Sequence, residues 1–395
     1  MKQAFYIVFL CIAGFAYHCG AQNVKRSESI NLSTAAGQTE IYLPLLKGKN
    51  IGLVANHTSL IGQTHLLDTL LALDVNVRKI FSPEHGFRGT ADAGAHIEDG
   101  VDSRSGLPVI SLYGKHRKPT KNDLQGLDLI LFDLQDVGVR FYTYISTMTY
   151  AMEACAENNI PFVILDRPNP NGHYIDGPVL DTAFSSFVGL HKVPVVYGMT
   201  MGEYARMVNG EGWLQKDLVC DLKVIPLRNY VHGDLYQLRV KPSPNLPNMN
   251  SVYLYPSLCF FEGTIMSVGR GTEYPFQLFG HPDFAIGSYV FTPEPKAGAS
   301  MHPKHKGERC FGISLIGYSR LAGIPEKINL AWLTGAYDYF SGRGDFFNSY
   351  FDKLAGTDKL RKQIISGASE EEIRKSWQED LAEFKKIRNK YLIYK

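Results

Sequence analysis

Val75-Asn76-Val77-Arg78-Lys79-Ile80-Phe81-Ser82-Pro83-Glu84-His85-Gly86-Phe87-Arg88-Gly89 decides how the chain is read. The run from Val75 to Ile80 has the apolar character of a buried strand. Pro83 has no amide hydrogen to give a ladder, so strand pairing is expected to stop there. Beyond it stand a carboxylate, an imidazole and a guanidinium, framed by Gly86 and Gly89. Such a loop can hold Glu84 over a cleft. Alone it reads equally well as a surface ion pair between Glu84 and Arg88.

The flanking stretches repeat the pattern. Apolar strands are expected at Lys49–Asn56, Leu107–Leu112, Leu127–Phe132, Ile160–Leu165 and Leu222–Ile225. Helices are expected between them. One follows Thr64 as a cap, one is short at Thr120–Gly126, one spans Tyr144–Asn158, and one starts at the capping box Thr200-Met201-Gly202-Glu203. In the third of these, Ile145, Met148, Met152 and Cys155 fall on one face, which is core spacing. Alternating apolar strands and helices imply an α/β fold, a Rossmann-like doubly wound and mostly parallel sheet covered on both faces.

From Lys241 the character changes. Pro242-Ser243-Pro244-Asn245-Leu246-Pro247 breaks regular structure, and a second, smaller α+β domain is expected to follow. Its last helix starts at Ser369-Glu370-Glu371-Glu372, with Ile373, Trp377, Leu381, Phe384 and Tyr391 as its apolar stripe. The domain reading is 1–21 leader, 22–36 linker, 37–240 Rossmann-like catalytic domain, and 241–395 smaller domain closing the cleft.

Composition narrows the function. A net charge of +2 over 395 residues gives no case for a nucleic-acid partner. No strand leads into Gly-x-Gly-x-x-Gly, and no Gly-x-x-x-x-Gly-Lys-Ser/Thr occurs, so no nucleotide cofactor is expected. Lys2, the apolar stretch from Ala4 to Tyr17 and the small residues Gly20 and Ala21 form a secretory leader, with cleavage expected after Ala21. Export to the periplasm or the outer membrane is implied. Cys19 offers a rival reading as a lipid anchor, although His18 before it fits that motif poorly. Cys155, Cys220, Cys259 and Cys310 are widely spaced and read as buried free thiols.

In an open parallel sheet, ligands bind beyond the carboxyl ends of the strands. Here those ends carry Asn56-His57, Glu84-His85 with Arg88, Asp133-Leu134-Gln135-Asp136 running on to Arg140-Phe141-Tyr142-Thr143-Tyr144, and Asp166-Arg167-Pro168-Asn169. Carboxylates, amides, guanidiniums and tyrosines together suit a polyhydroxylated ligand. Glycoside hydrolysis normally takes one protonated carboxyl group as acid and a second carboxylate as nucleophile or base. Glu84 is the candidate acid. Asp133, Asp136, Asp166, Glu262 and Glu273 compete for the second role, with Asp133 and Asp166 grouped with Glu84 as the catalytic set. Asn56, His85, Arg88, Gln135, Asp136, Arg140, Tyr142, Tyr144, Asn169, Glu262 and Arg270 form the candidate substrate-binding set. A metal site from His57, His85 and His96 with Asp92, Asp99 or Asp133 is a weaker reading, because no tight ligand motif is present. A serine nucleophile is weaker still, for want of Gly-x-Ser-x-Gly.

Ser82-Pro83-Glu84-His85-Gly86-Phe87-Arg88-Gly89, the run Phe132 to Tyr144, and Leu165-Asp166-Arg167-Pro168-Asn169-Pro170 resemble the exo-acting β-N-acetylmuramidases. Pro242 to Pro247, Phe261-Glu262-Gly263-Thr264, Gly269-Arg270-Gly271-Thr272 and the closing Trp377, Phe384, Arg388 and Tyr391-Leu392-Ile393-Tyr394 carry the likeness through the second half. The resemblance implies a site between a Rossmann-like domain and a smaller one. It implies release of terminal N-acetylmuramic acid from the non-reducing end of peptidoglycan fragments, so muramic-acid-containing saccharides are the expected partners. It also implies that Glu84 is catalytic. At Gln277 the chain departs from the acidic residue of some members, which bears on substrate choice. A non-catalytic peptidoglycan-binding protein and a metal-dependent amide or ester hydrolase are the competing classes.

Overall fold

The computed structural model describes residues 32–84, 86–87 and 100–394. The leader, Cys19, His85, Arg88, Asp92, His96 and Asp99 lie outside the described residues.

Seven strands form the central sheet: β1 Ile51–Ala55, β2 Val77–Ser82, β3 Gly100–Val101, β4 Pro108–Ser111, β5 Leu129–Asp133, β6 Phe162–Leu165 and β7 Leu222–Ile225. Their order is β3-β4-β2-β1-β5-β6-β7. Every pairing is parallel except β3 with β4. The chain winds outward from β1 in one direction, then returns to the centre at β5 and winds the other way. This is the doubly wound arrangement expected from the alternating strands and helices, with the switch point between β1 and β5. β2 ends at Ser82, immediately before Pro83.

Helices cover both faces. Along β5, Leu129 and Leu131 face one apolar cluster, shared with Leu53, Ile80, Leu66, Leu67 and Leu70. Ile130 and Phe132 face the opposite one. Period-two alternation between two buried sides is why the strand reads as an unbroken apolar run. The first side is covered by α1 Thr39–Leu46 and α2 Leu66–Ala72. His65, not Thr64, caps α2, its ring accepting from the Leu67 amide at 3.2 Å. Thr64 instead pairs with Ile61 in a short hairpin. After the short α3 Lys121–Leu124, the second side is covered by α4 Tyr144–Asn158 and α5 Met201–Gly210. Cys155, Cys220, Cys259 and Cys310 are free and buried.

The second unit holds a three-stranded antiparallel sheet, built from β8 Leu278–His281, β9 Tyr289–Phe291 and β10 Cys310–Ser314 in the order β8-β10-β9. It is preceded by α6 Met249–Leu258, which carries Pro256 inside its last turn and is capped by Asn248. Helices α7 Tyr318–Leu321, α8 Ala331–Phe340, α9 Phe351–Ala355, α10 Lys359–Ile365, α11 Glu370–Ser376 and α12 Gln378–Asn389 complete it. The apolar stripe expected on one closing helix is divided between two, because the chain turns at Trp377. The apolar cluster under α4 continues without a break into Leu254, Phe261, Phe279, Leu333 and Phe384. The two units therefore share one core, which fixes the walls of the cleft between them.

Candidate active site

Glu84 sits where β2 ends, and it lines an open cleft of about 890 Å³ between the two units. The opposite walls of this cleft supply Tyr113, Arg117, Glu262, Arg270, Tyr350 and Lys353. A recess of about 410 Å³ shares Glu84 and Arg270 and is closed by Tyr142, Tyr144, Asn245 and Phe276.

The Glu84 side chain is held from two sides. Thr143 Oγ1 donates to Glu84 Oε2 at 3.3 Å. The Tyr113 hydroxyl also bonds to Glu84, and burial together with the Glu84 charge pushes that hydroxyl well above its ordinary range. Tyr113 follows β4 and Thr143 precedes α4, so the rigid sheet sets both positions. Behind Glu84, the Asn56 amide donates to the Tyr144 hydroxyl at 2.7 Å. Tyr142 packs edge-on against Tyr144, with centroids 4.8 Å apart, and donates to the Pro242 carbonyl at 2.7 Å.

Glu262 is the second carboxylate among the described residues lining the cleft. Arg270 grips it with two donors, Nε at 2.5 Å and Nη2 at 3.1 Å. Burial works against the Arg270 charge, but the Glu262 carboxylate outweighs it and raises the guanidinium further. The guanidinium also lies over the Phe276 ring, 5.1 Å from its centroid. Beneath this pair, Lys304 donates to the carbonyls of Phe261, Thr264 and Met266, and burial lowers its ammonium to about 8. Asn245 Oδ1 is buried in the wall of the recess with no hydrogen-bond partner among the described residues, while its amide nitrogen donates to the Ala299 carbonyl at 2.9 Å.

The other strand-end carboxylates turn inward. Asp133 is fully buried, and Arg167 satisfies both its oxygens at 2.5 and 2.8 Å. Asp166 accepts from the Thr200 and Tyr394 hydroxyls at 2.7 and 2.6 Å and from the Gly202 and Arg167 amides at 2.9 and 3.0 Å. Asp136 accepts from the Gly138 amide at 2.6 Å and from the Tyr197 hydroxyl. Burial raises Asp136 and Asp166 each to about 6. None of the three lines the Glu84 cleft. Glu273 is exposed and pairs with Lys296 at 2.5 Å.

The remaining candidates divide the same way. Arg140 is wholly buried and donates to the carbonyls of Pro178, Val193, Leu354 and Ala355 at 2.7 to 2.9 Å, stitching the two units together. Burial lowers its guanidinium to about 9. Gln135 donates to the Asp136 and Pro168 carbonyls, and Asn169 to the Met199 carbonyl. The structure thus gathers Glu84, Tyr142, Tyr144, Glu262 and Arg270 around one space, with Asn56 one hydrogen bond behind. Asp133, Asp136, Asp166, Arg140 and Asn169 are framework, and Gln135 lines a separate cavity with Thr58, Arg167 and Arg239. No carboxylate stands among the described residues lining that cavity. Among the described residues, no group of three His, Cys, Asp or Glu is placed to hold a metal ion.

The candidate list omits Tyr113, Arg117, Thr143, Asn245, Tyr350 and Lys353. Tyr113 stands at a strand end, so the strand-end rule could have named it. Asn245 lies in the Pro-rich break, and only the fold brings it into the wall of the recess that Glu84 also lines.

The chain matches the family description "Exo-beta-N-acetylmuramidase NamZ, N-terminal" over residues 51–250 and its C-terminal counterpart over residues 253–394. It belongs to the exo-β-N-acetylmuramidase NamZ family. It is 41% identical over 369 residues to the peptidoglycan beta-N-acetylmuramidase NamZ of Bacillus subtilis (strain 168), covering 89% of each chain. Two crystal structures of DUF1343 family proteins from Bacteroides fragilis NCTC 9343 share the fold. One is 46% identical with a TM-score of 0.86, covering 92% of this chain and 99% of that one. The other is 30% identical with a TM-score of 0.78, covering 93% and 100%. Members of the NamZ family are glycosidases, and the cleft between the two matched halves is where the carboxylates meet.

Proposed function

We propose that this chain is an exported exo-acting β-N-acetylmuramidase. It would release terminal N-acetylmuramic acid from the non-reducing end of peptidoglycan fragments. The observation that carries the reading is the pairing of Glu84 with Glu262 in one inter-domain cleft. Glu84 acts as general acid, giving its proton to the glycosidic oxygen as the bond to the leaving sugar breaks. Tyr113 and Thr143 hold its oxygens in place for that transfer. Glu262, oriented by the Arg270 fork, serves as base toward water or as nucleophile at the anomeric carbon. The relative named for peptidoglycan muramidase activity supports the substrate class. The leader pattern read in residues 1–21 supports export.

The test is incubation with a disaccharide that carries muramic acid at its non-reducing end, with and without a chelator. Release of free N-acetylmuramic acid in both arms is expected. Binding without release would make the chain a saccharide-binding protein. Release abolished by the chelator would favour the metal-dependent class.

A further inference from the structure

We propose that Arg117 and Lys353 form a carboxylate clamp that selects muramic-acid-terminated over glucosamine-terminated saccharides. This rests on the reading above, in which the Glu84 cleft receives the sugar that is released.

Among the described residues, the charged side chains lining the cleft are Glu84, Glu262, Arg117, Arg270 and Lys353, three cations against two carboxylates. Glu262 and Arg270 neutralise one another through their two-pronged contact. Glu84, when it carries the proton it is to donate, is uncharged. Arg117 and Lys353 are then left without counter-ions, and neither has an ion-pair partner among the described residues. An anionic group on the ligand balances them.

Each cation is positioned by its neighbours. The Arg117 guanidinium lies 4.4 Å from the centre of the Phe187 ring. Phe187 is itself fixed, stacked on Tyr150 at 6.1 Å and edge-on to Tyr113 at 6.3 Å. A guanidinium held over a ring face makes no hydrogen bond to the ring and keeps its N–H donors for a carboxylate. Lys353 comes from the other unit, on α9. That helix is seated against the turn carrying Glu262, because Gly263 has no side chain. A Cβ there would come within 2.4 Å of the Phe351 backbone. One cation thus stands on each wall.

N-acetylmuramic acid differs from N-acetylglucosamine by a lactyl ether on O3, which ends in a carboxylate. With an ordinary pKa near 4, that group is ionised at neutral pH. It is the one feature distinguishing the two sugars that a pair of cations can recognise. Charge-assisted hydrogen bonds of this kind give about 10- to 100-fold in binding.

The experiment compares two ligands on four proteins. The ligands are the muramic-acid-terminated disaccharide as free acid and as its lactyl methyl ester. The proteins are the wild type, Arg117→Gln, Lys353→Gln and the double variant. The wild type is expected to favour the acid by about 10- to 100-fold in kcat/KM, mostly through KM. Each single variant is expected to lose about tenfold more on the acid than on the ester, and the double variant to lose the preference. A double variant that keeps the full preference, or a wild type without one, overturns the clamp. In a parallel arm, calorimetry measures binding of N-acetylmuramic acid and N-acetylglucosamine. Tighter binding of the acid sugar, lost in the double variant, supports the clamp even if neither disaccharide is cleaved, in which case the catalytic reading falls and the clamp stands. Equal binding of both sugars by the wild type overturns it.

Discussion

Two sets of carboxylates stand at the carboxyl edge of the same sheet, and they live in different physical worlds. Asp133 and Asp166 are buried with both oxygens committed to a guanidinium, hydroxyls and amides of the chain itself, and Asp136 is buried with its Oδ2 held by the Gly138 amide and the Tyr197 hydroxyl. Glu84 lines a cleft, with its oxygens steadied by Thr143 and Tyr113. The difference teaches that a strand-end position does not by itself make a carboxylate part of the site. What separates the two sets is whether the carboxylate faces space that a ligand can fill. The inward set maintains the fold, and the outward one is available to substrate.

Substitutions separate the two sets. The largest effect is expected at Glu84. Glu84→Gln should cut turnover of the disaccharide by about 10²- to 10⁴-fold while thermal unfolding stays close to wild type. Asp133→Ala should do the reverse of a catalytic change. It leaves Arg167 buried without its partner and is expected to cost about 3–5 kcal/mol in chemical denaturation. A stable Asp133→Ala with abolished turnover would break the comparison.

Next comes the pH dependence of stability. Asp136 and Asp166 hold their protons up to about 6 in the fold, against about 4 in the unfolded chain. Their contribution is complete below pH 4 and is lost as pH rises through 6, by roughly 1–3 kcal/mol for each carboxyl. Asp136→Asn should flatten part of that fall in melting temperatures measured from pH 4 to 7. The smallest effect is expected at Gly356, which has φ +72° and whose missing Cβ leaves room for Arg140 Nη2, 2.7 Å from where it would be. Gly356→Ala is expected to cost about 1–2 kcal/mol by forcing the left-handed conformation on a side chain that also crowds the Arg140 guanidinium.

Much of the framework was legible because its signals are local. α4 runs over the expected Tyr144–Asn158, and α5 begins at the Thr200 capping box. α6 was hidden, since Pro256 and the preceding Pro-rich stretch argue against a helix and mask the Asn248 cap. Glu84 was legible from the strand, the proline and the resemblance together. Its partners from the second unit were harder to place. Glu262 and Arg270 stand on a short turn and a loop, and Lys353 on a five-residue helix. The fate of Asp166 could not be read at all, because one of its donors, Tyr394, is 228 residues away.

Chemistry is expected in the cleft between the units, at Glu84, and not at the buried strand-end aspartates. A crystal structure of Glu84→Gln with the uncleaved disaccharide tests it most directly. The glycosidic oxygen is expected within about 3.2 Å of the side chain at position 84, with the terminal sugar between Tyr113 and Arg270. A disaccharide seated instead in the cavity of Thr58, Gln135, Arg167 and Arg239 would contradict the account.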